Sequence, residues 1–488
     1  MAKKLLIGSV ILFALGIVGL VVAISMLDLN KHKPKIEQMA LEASGYSLKI
    51  NGDISVSFAP VGIKLKDISV SKPNEKPFTT LKELSVAIKL IPFLKQNIEV
   101  DYVVLSDLNL HVEKLKNGKF NFELAKKEAL TKTTQENNTT EEKRQVPLIN
   151  INEIRVENTN VEYIDTVANT TAKVTDMDVV VNSIVYDTSK KELNAIAFLG
   201  DVKIKNIAYQ KYNAKDLHVK FSLKNSIANV NSMSYNIFDS VASGKAKIDL
   251  STKTPKVEFA QNIPKLKLKN FSKEILEKDL LDGELNLDVT LATILDTPLV
   301  IKKNLKSEVI FDGQGIGIIG YDLDKIIGGY DKSQSVDMVD IGSLLVAGPI
   351  GFALSKSSDA STVYSGAKSG QTLLKHLHVK IDVANAKAKL TDVAIATGKN
   401  RVALKGDLDI VNEKFLDVKV GVLDAKNCAK YSQTIIGTFS KPSVKLDESA
   451  VNSIVNMASS LFGSSKKVLG ADTNKECTVF YNGAVKQP

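Results

Sequence analysis

The stretch Ile98–Val112, IEVDYVVLSDLNLHV, decides the fold class of this chain. Every even position except Ser106 is apolar: Ile98, Val100, Tyr102, Val104, Leu108, Leu110 and Val112. The odd positions carry mostly acidic and polar residues, with Val103 and Leu105 as exceptions. Such alternation is typical of a β-strand with one apolar face and one face in water. The pattern predicts one continuous strand whose even-numbered side chains form the apolar face.

The same two-residue period recurs along most of the chain, for example over Leu84–Leu90, Leu285–Leu291, Leu377–Val383 and Leu416–Val422. Helical patterns are few. They cover Pro34–Ala43, Phe271–Leu281 and an amphipathic stretch at 451–462. The chain is therefore predicted to be mainly β, with a few short capping helices.

The chain starts with an apolar run, Leu5–Leu27, that contains no charged residue and follows Lys3 and Lys4. As a helix this run is about 34 Å long, enough to cross a hydrocarbon core of about 30 Å. A cleaved signal peptide is the alternative, because Ala23–Ser25 resembles a cleavage site. The apolar run is longer than a usual signal core, which favours a retained transmembrane anchor.

The net charge of +9 comes almost entirely from lysine, since Arg144, Arg155 and Arg401 are the only arginines. Lysine alternates with aliphatic residues, as in the run Lys265–Lys269. That spacing places lysine on the wet face of strands, where it also discourages edge-to-edge aggregation. Nucleic-acid readers concentrate arginine and interleave aromatic residues. We therefore expect no nucleic-acid partner.

Two motifs could carry chemistry. Gly315–Gly320 (GIGIIG) matches the dinucleotide fingerprint, but that fingerprint needs a βαβ unit, and the surrounding alternation predicts a Gly-rich turn instead. His376 and His378 share a strand face, yet no third ligand is expected nearby, so two solvated histidines are predicted. The sequence shows no nucleophile elbow or phosphate loop. We expect no enzyme activity, no cofactor and no metal.

Cys428 and Cys477 are the two cysteines of the chain. In an oxidising compartment a disulfide between them would close a loop of about 50 residues, worth about 4 kcal/mol in the chain-entropy model. In a reducing compartment they would be two free thiols. Whether Cys428 and Cys477 form a disulfide therefore depends on the compartment.

Composition and period divide the chain into six segments. They are a transmembrane anchor (1–27), a β segment with one short helix (28–125), a polar linker predicted to be disordered (126–145), a middle β-sheet region (146–330), a Ser/Gly-rich irregular insert (331–370) and a C-terminal β segment with a terminal amphipathic helix (371–488).

The N-terminal part resembles the AsmA family of bacterial envelope proteins. The residues that carry the resemblance are Asp28–Asn30 after the apolar run, the helix from Pro34, the runs Leu48–Ser55 and Gly62–Ile68, Leu90–Leu94, and the turn Asn117–Phe122. The part from about 375 to 445 is also similar, through Ala394–Ala396, Gly406–Ile410 and Gly437–Phe439. The middle of the chain, from about 125 to 370, is similar only in its general pattern of alternating strands.

This resemblance implies an inner-membrane anchor with the body of the chain in the periplasm. It also implies a long curled antiparallel sheet with a hydrophobic groove for phospholipid chains, and a role in outer-membrane biogenesis. The groove candidates are Val100, Tyr102, Val104, Leu108, Leu110, Leu285, Leu287 and Val289. The expected partners are phospholipids and the inner membrane, with outer-membrane or periplasmic proteins as further candidates. The alternative is a non-enzymatic scaffold or assembly factor for outer-membrane proteins whose apolar faces pair in closed sandwiches.

Overall fold

The computed structural model describes residues 29–58, 60–89, 99–124, 150–187, 190, 192–325, 327–328, 370–445 and 477–487. Its helices are α1 (Lys33–Ser44), α2 (Leu268–Ile275) and α3 (Pro298–Asn304), with short 3-10 helices at Leu29–His32 and Glu192–Ala195. Residues 323–325 and 327–328 are also helical, and the rest of the regular structure in the described residues is β-strand. The prediction of a mainly β chain with few helices is confirmed.

Two compact units make up the chain, and each is described by itself. Unit 1 comprises residues 1–235 with 249–251, and unit 2 comprises residues 236–248 with 252–488. The strands β1 to β12 are Ser47–Ile50, Ile54–Phe58, Val61–Ser71, Thr79–Ile88, Val100–Ser106, Asn109–Lys114, Asn150–Asp165, Thr170–Tyr186, Ile196–Tyr209, Tyr212–Lys224, Ile227–Ile237 and Ser240–Asp249. The strands β13 to β24 are Lys256–Lys267, Leu281–Asp282, Glu284–Ile294, Lys306–Gly313, Ile316–Ile319, Gln371–Leu374, His376–Ala384, Lys387–Ala396, Arg401–Asp409, Lys414–Leu423, Ala429–Thr438 and Lys441–Lys445.

In unit 1 an antiparallel series runs from β2 through β3 and β4 to β5, and β1 also pairs with β3. Both β5 and β6 then pair with β7 in parallel, and β7 to β10 continue antiparallel. The predicted antiparallel sheet is therefore confirmed in part: it is mixed, because β7 pairs in parallel with β5 and β6. A parallel pair needs a crossover of a dozen or more residues, and residues 115–149 between β6 and β7 supply that length.

Helix α1 closes one end of the unit 1 core, and its predicted position is confirmed. Proline lies in its first turn, and Gly45 ends it at φ 78°, a left-handed conformation that glycine adopts without strain. Ile36 is its buried residue. The Glu37 carboxylate accepts hydrogen bonds from the Ile50 backbone N–H at 2.9 Å and from Lys49 Nζ at 3.0 Å. These contacts hold the helix against β1.

Unit 2 contains an antiparallel series through β13, β15, β16 and β19 to β24, taken in that order. A separate small sheet joins β14, β17 and β18. The Gly315–Gly320 segment holds the strand β17 of that small sheet, so its prediction as a turn was wrong. Gly315 and Gly320, at its two ends, do take positive φ. Helix α2 begins and ends earlier than the predicted Phe271–Leu281.

The predicted single strand Ile98–Val112 is two strands. Asp107 adopts φ 57° and separates β5 from β6. Aspartate is one of the few residues besides glycine that visit this left-handed conformation, because its short side chain can hydrogen-bond locally. The sequence does not predict this break, because a polar residue at an odd position such as 107 also fits the solvent-facing side of a continuous strand.

Several predicted segments lie outside the described residues. They are the anchor Leu5–Leu27, the linker 126–145, most of the insert 331–370 and the amphipathic helix at 451–462. Over the ranges that the structure does describe, no helix has both the length and the apolar character needed to cross a membrane.

Candidate functional site

A row of aliphatic side chains crosses the sheet of unit 1. Its members are Ile54, Leu65, Leu84, Leu105, Val156, Val179, Val202 and Val219, each paired in register with the next. Register partners on neighbouring strands place their side chains on the same face of a sheet. We call this set the apolar row. At about 4.8 Å between strands, its eight members extend over about 34 Å.

A second set of apolar residues widens this face. It runs in register through Ile63, Val86, Val103, Ile154 and Val181 to Gly200 and Phe221. The Phe221 ring lies directly over Gly200, where a Cβ atom would collide with it. Phe198 meets the Phe221 ring edge-on, with centroids 5.9 Å apart. The face is therefore apolar across its width as well as along the row.

Among the residues that the structure describes, the apolar row is fully buried at one end. Ile54, Leu65 and Leu84 are 4–5% exposed and belong to the core cluster that includes Ile36 of α1. From Leu105 to Val219 the members of the row are half-buried. An apolar surface of this extent that the described residues leave partly open is typical of an interaction site. The open part is the candidate functional surface.

The opposite face of the same strands is polar and carries ion pairs. Lys64 Nζ lies 3.1 Å from Glu83 Oε1, and Arg155 Nε lies 2.7 Å from Glu153 Oε1. His218 Nε2 lies 2.9 Å from Asp201 Oδ1. This face can remain in water, so the sheet of unit 1 is amphipathic from one side to the other.

A line of left-handed residues crosses the same sheet. Asp67, Asp107, Asn158, Asp176 and Asp216 all have φ between 51° and 57° and lie at matching levels of the sheet. Lysines on neighbouring strands form ion pairs with two of these residues. Lys82 Nζ lies 3.8 Å from Asp107, and Lys205 Nζ lies 3.5 Å from Asp176. Such irregularities bend a strand and increase its twist. Their alignment supplies a cause for curvature of the sheet.

The structure corrects the face assignment of two predicted groove residues, Tyr102 and Val104, and leaves Val100 on the apolar face. Val100 pairs with Ile88, but Tyr102 pairs with Ala87, so one residue of β5 bulges between them. The bulge reverses the parity of the strand. Val100 therefore joins the core cluster, whereas Tyr102 and Val104 share the opposite face with Glu153 and Arg155.

The other groove candidates lie on the apolar side. Leu108 packs against the core cluster, and Leu110 pairs with Val161 of β7 and Thr79 of β4. Leu285, Leu287 and Val289 share one face of β15; Leu285 is 2% exposed and the other two are half-buried. Sequence reasoning missed the middle of the apolar row, Val156 to Val219, although each of its strands shows a two-residue period.

Unit 2 has its own row of apolar register partners. It runs through Ile263, Leu287, Phe311, Val379, Val393, Leu404 and Val420. Leu287 and Phe311 are half-buried, whereas the members from β19 onward are at most 9% exposed. The open part of the unit 2 row is therefore limited to β15 and β16.

The C-terminal segment packs on the other face of unit 2. A disulfide joins Cys428 to Cys477. Tyr481 and Val485 are buried against Ala394 and Ala403, in a cluster of small residues. The Tyr481 hydroxyl donates to Asp392 Oδ1 at 2.5 Å, and burial together with this carboxylate raises the tyrosine pKa well above its usual value. The described residues 477–487 therefore pack on the face opposite to Val393 and Leu404.

The two predicted solvated histidines have a third polar partner. Asp312 Oδ2 lies 3.0 Å from His376 Nε2 and 2.8 Å from His378 Nδ1. The expectation that no further ligand type lies near this pair was wrong. The neighbour comes from β16, and it is brought to the histidines only by the pairing of β16 with β19.

Comparison with known proteins gave one match. The sequence model of the AsmA family matches residues 1–198, which hold α1, the strands β1 to β8 and the beginning of β9. A search of curated proteins and a search of solved structures each found no match. The resemblance seen in the sequence is therefore confirmed over residues 1–198, which match the AsmA family model.

Proposed function

We propose that this protein binds phospholipid acyl chains along the open part of the apolar row, and that it holds or conducts them in outer-membrane biogenesis. The observation that carries the proposal is the change in exposure along the row. The row is buried at Ile54, Leu65 and Leu84 but half-open from Leu105 to Val219. A lipid chain is the occupant that matches a long apolar surface without polar anchor points.

The energetics suit such an occupant. Removing apolar surface from water stabilises by roughly 25 cal/mol per Å², or about 0.8 kcal/mol for each methylene group. The attraction is non-directional, so an acyl chain can slide between equivalent positions on valine and leucine side chains. The polar face behind the row, with pairs such as Lys64–Glu83, keeps the sheet in water. The proposed role is binding or conduction and requires no chemical step.

The proposed location is the bacterial inner membrane, with the bulk of the chain in the periplasm. The match to the AsmA family model and the apolar run Leu5–Leu27 support this placement. The disulfide between Cys428 and Cys477 fits an oxidising compartment. Outer-membrane or periplasmic proteins are the further proposed partners, and nucleic acid is not among them.

A scaffold role is the second candidate, and one observation favours it. In unit 2, Val393, Leu404 and Val420 are 6%, 3% and 0% exposed, as in a closed core. In a scaffold of this kind, the apolar faces of both units would be buried against side chains of the same chain. Lipid occupancy separates the two candidates.

The test uses the full chain with a protease site inserted after Asp28. The protein is purified from membranes, cleaved, and the released body is analysed by native mass spectrometry. Cleavage removes lipid that merely surrounds the anchor. We expect phospholipid to remain bound to the released body. A folded body that is free of lipid would favour the scaffold and contradict the proposal.

A further inference from the structure

Three side chains with metal-binding atoms meet on the polar face of unit 2. Asp312 lies near the end of β16, and His376 and His378 lie at the start of β19, with Asp312 and His378 directly in register. One possible ligand atom from each of Asp312, His376 and His378 lies within 4.8 Å of the other two. The two histidine side chains are 22% and 15% exposed. The cluster is thus sheltered but within reach of an ion from solution.

A second carboxylate stands behind the cluster. His378 Nε2, the ring nitrogen that points away from Asp312, lies 3.8 Å from Asp392 Oδ2. Asp392 is held in place by the Tyr481 hydroxyl at 2.5 Å and by the Ala484 backbone N–H at 2.9 Å. Histidines that bind metals usually donate their other ring N–H to a carboxylate, which fixes the ring orientation and makes the ligand more basic.

We propose that Asp312, His376 and His378 form a binding site for one divalent transition-metal ion of the zinc class. Imidazole and carboxylate suit zinc, whose tetrahedral sites with three protein ligands leave the fourth position for water. Asp312 Oδ2 lies at hydrogen-bonding distance from both rings, 2.8 Å from His378 Nδ1 and 3.0 Å from His376 Nε2. Ligands about 2.0–2.2 Å from a tetrahedral ion lie slightly farther apart than this, so small side-chain movements open the site.

Two other histidine–carboxylate pairs show what distinguishes this cluster. His111 Nδ1 lies 3.1 Å from Glu162, and His218 Nε2 lies 2.9 Å from Asp201. Within the described parts of the chain, neither pair belongs to a group of three possible metal ligands. A single histidine beside a carboxylate is therefore an ordinary feature of this sheet. Two histidines that converge on one carboxylate are a different arrangement. The two simple pairs therefore provide matched controls.

The position in the fold gives the site a structural role. The chain leaves β16 just after Asp312 and returns to β19 at His376, after the excursion that contains β17 and β18. A metal ion would join the two strands at the base of this excursion. Closing a long segment at its base restricts the unfolded chain and stabilises the folded one. This inference does not rest on lipid binding.

The experiment measures zinc binding to the full chain in detergent, first dialysed against a chelator and kept free of reductant. Without reductant, Cys428 and Cys477 remain in their disulfide and offer no thiolate ligands. Isothermal titration should show one Zn²⁺ per chain. Cobalt as a spectroscopic substitute should give the visible absorption of a tetrahedral site. H378Q and D312N each remove a ligand and should weaken binding at least about tenfold.

The control is H218Q, which removes a histidine from a simple pair and should leave zinc affinity unchanged. Circular dichroism and the metal-free melting temperature of each variant show whether it is folded. A second readout is the melting temperature, which zinc should raise in the parent and in H218Q but not in H378Q. Absence of stoichiometric binding to the folded parent would overturn the proposal. Equal binding by the folded parent and folded H378Q would also overturn it.

Discussion

Val179 and Val180 are neighbours in β8 whose side chains lie on opposite faces of the unit 1 sheet. Val179 pairs with Val156 and Val202, in the middle of the apolar row. Val180 pairs with Arg155 and Asp201, on the polar face. Both valines are half-buried. The same substitution at the two positions therefore tests one face of the sheet against the other.

Val179→Asp should reduce bound lipid while the protein stays folded. A carboxylate against hydrocarbon costs several kcal/mol unless water reaches it. When lipid leaves an open row, water can solvate the new charge, so folding is spared and affinity falls by at least about tenfold, or about 1.4 kcal/mol. Lipid content and thermal melting are measured together.

Val180→Asp is the matched control and should change neither quantity much. If Val179→Asp instead unfolds the domain while the parent carries no lipid, the row is the inside of a closed core. The groove assignment would then be wrong.

The disulfide should contribute to stability. It links residues 49 positions apart, and the chain-entropy model assigns a loop of that size about 4 kcal/mol. Reduction, or Cys477→Ser, should lower the free energy of unfolding of unit 2 and loosen the packing of Tyr481. Urea unfolding with and without reductant measures the first effect, and hydrogen exchange of the C-terminal segment measures the second. Two free thiols in unreduced, denatured protein would refute the bond and weaken the periplasmic assignment.

Asp165 should make unit 1 sensitive to acid. It accepts hydrogen bonds from the Ala168 and Val167 backbone N–H groups and from Lys114 Nζ, which lower its pKa from 3.8 to about 2. A lowered carboxyl pKa stabilises the fold fully above the unfolded value, and this contribution disappears as the pH falls through the folded value.

Between about pH 4 and pH 2, Asp165→Asn should therefore lose less stability than the parent, although it is less stable at neutral pH. Urea midpoints over this range provide the comparison. Asp53→Asn is the control, because the Asp53 side chain is 85% exposed. Parallel pH profiles for the parent and Asp165→Asn would contradict the assigned role.

The topology of the chain can be tested with reporters fused after Pro488. The proposed inner-membrane location, with Leu5–Leu27 as the anchor, puts that end in the periplasm. We expect alkaline phosphatase fused there to be active and a reporter that works only in the cytoplasm to be inactive. Recovery of a chain that begins near Met26 would show that the segment is a cleaved signal peptide.

Local signals predicted much of the fold from the sequence. Proline in the first turn and Gly45 at the end defined α1, and the two-residue period predicted β4, β15, β19 and β22. The parity of β5 could not be predicted in this way. No particular residue type marks the bulge between Val100 and Tyr102 in the sequence. It becomes visible only in the pairing of β5 with β4.

The candidate sites depend on register even more strongly. Each valine of the apolar row is unremarkable in its own strand, and the row exists only once Val156, Val179 and Val202 are aligned across three strands. Likewise, 64 residues separate Asp312 from His376. No sequence pattern at that distance indicates a shared site, because the pairing of β16 with β19 creates it.

The most direct test of lipid binding is photo-crosslinking in living cells. A benzophenone amino acid is placed at Val202, in the open part of the apolar row, and separately at Lys203, whose exposed side chain lies on the opposite face. Cells are grown with radiolabelled phosphate and irradiated, and the purified protein is examined for attached phospholipid. We expect strong labelling at Val202 and little at Lys203. Absence of label at Val202, or equal label at both positions, would contradict lipid binding along the apolar row.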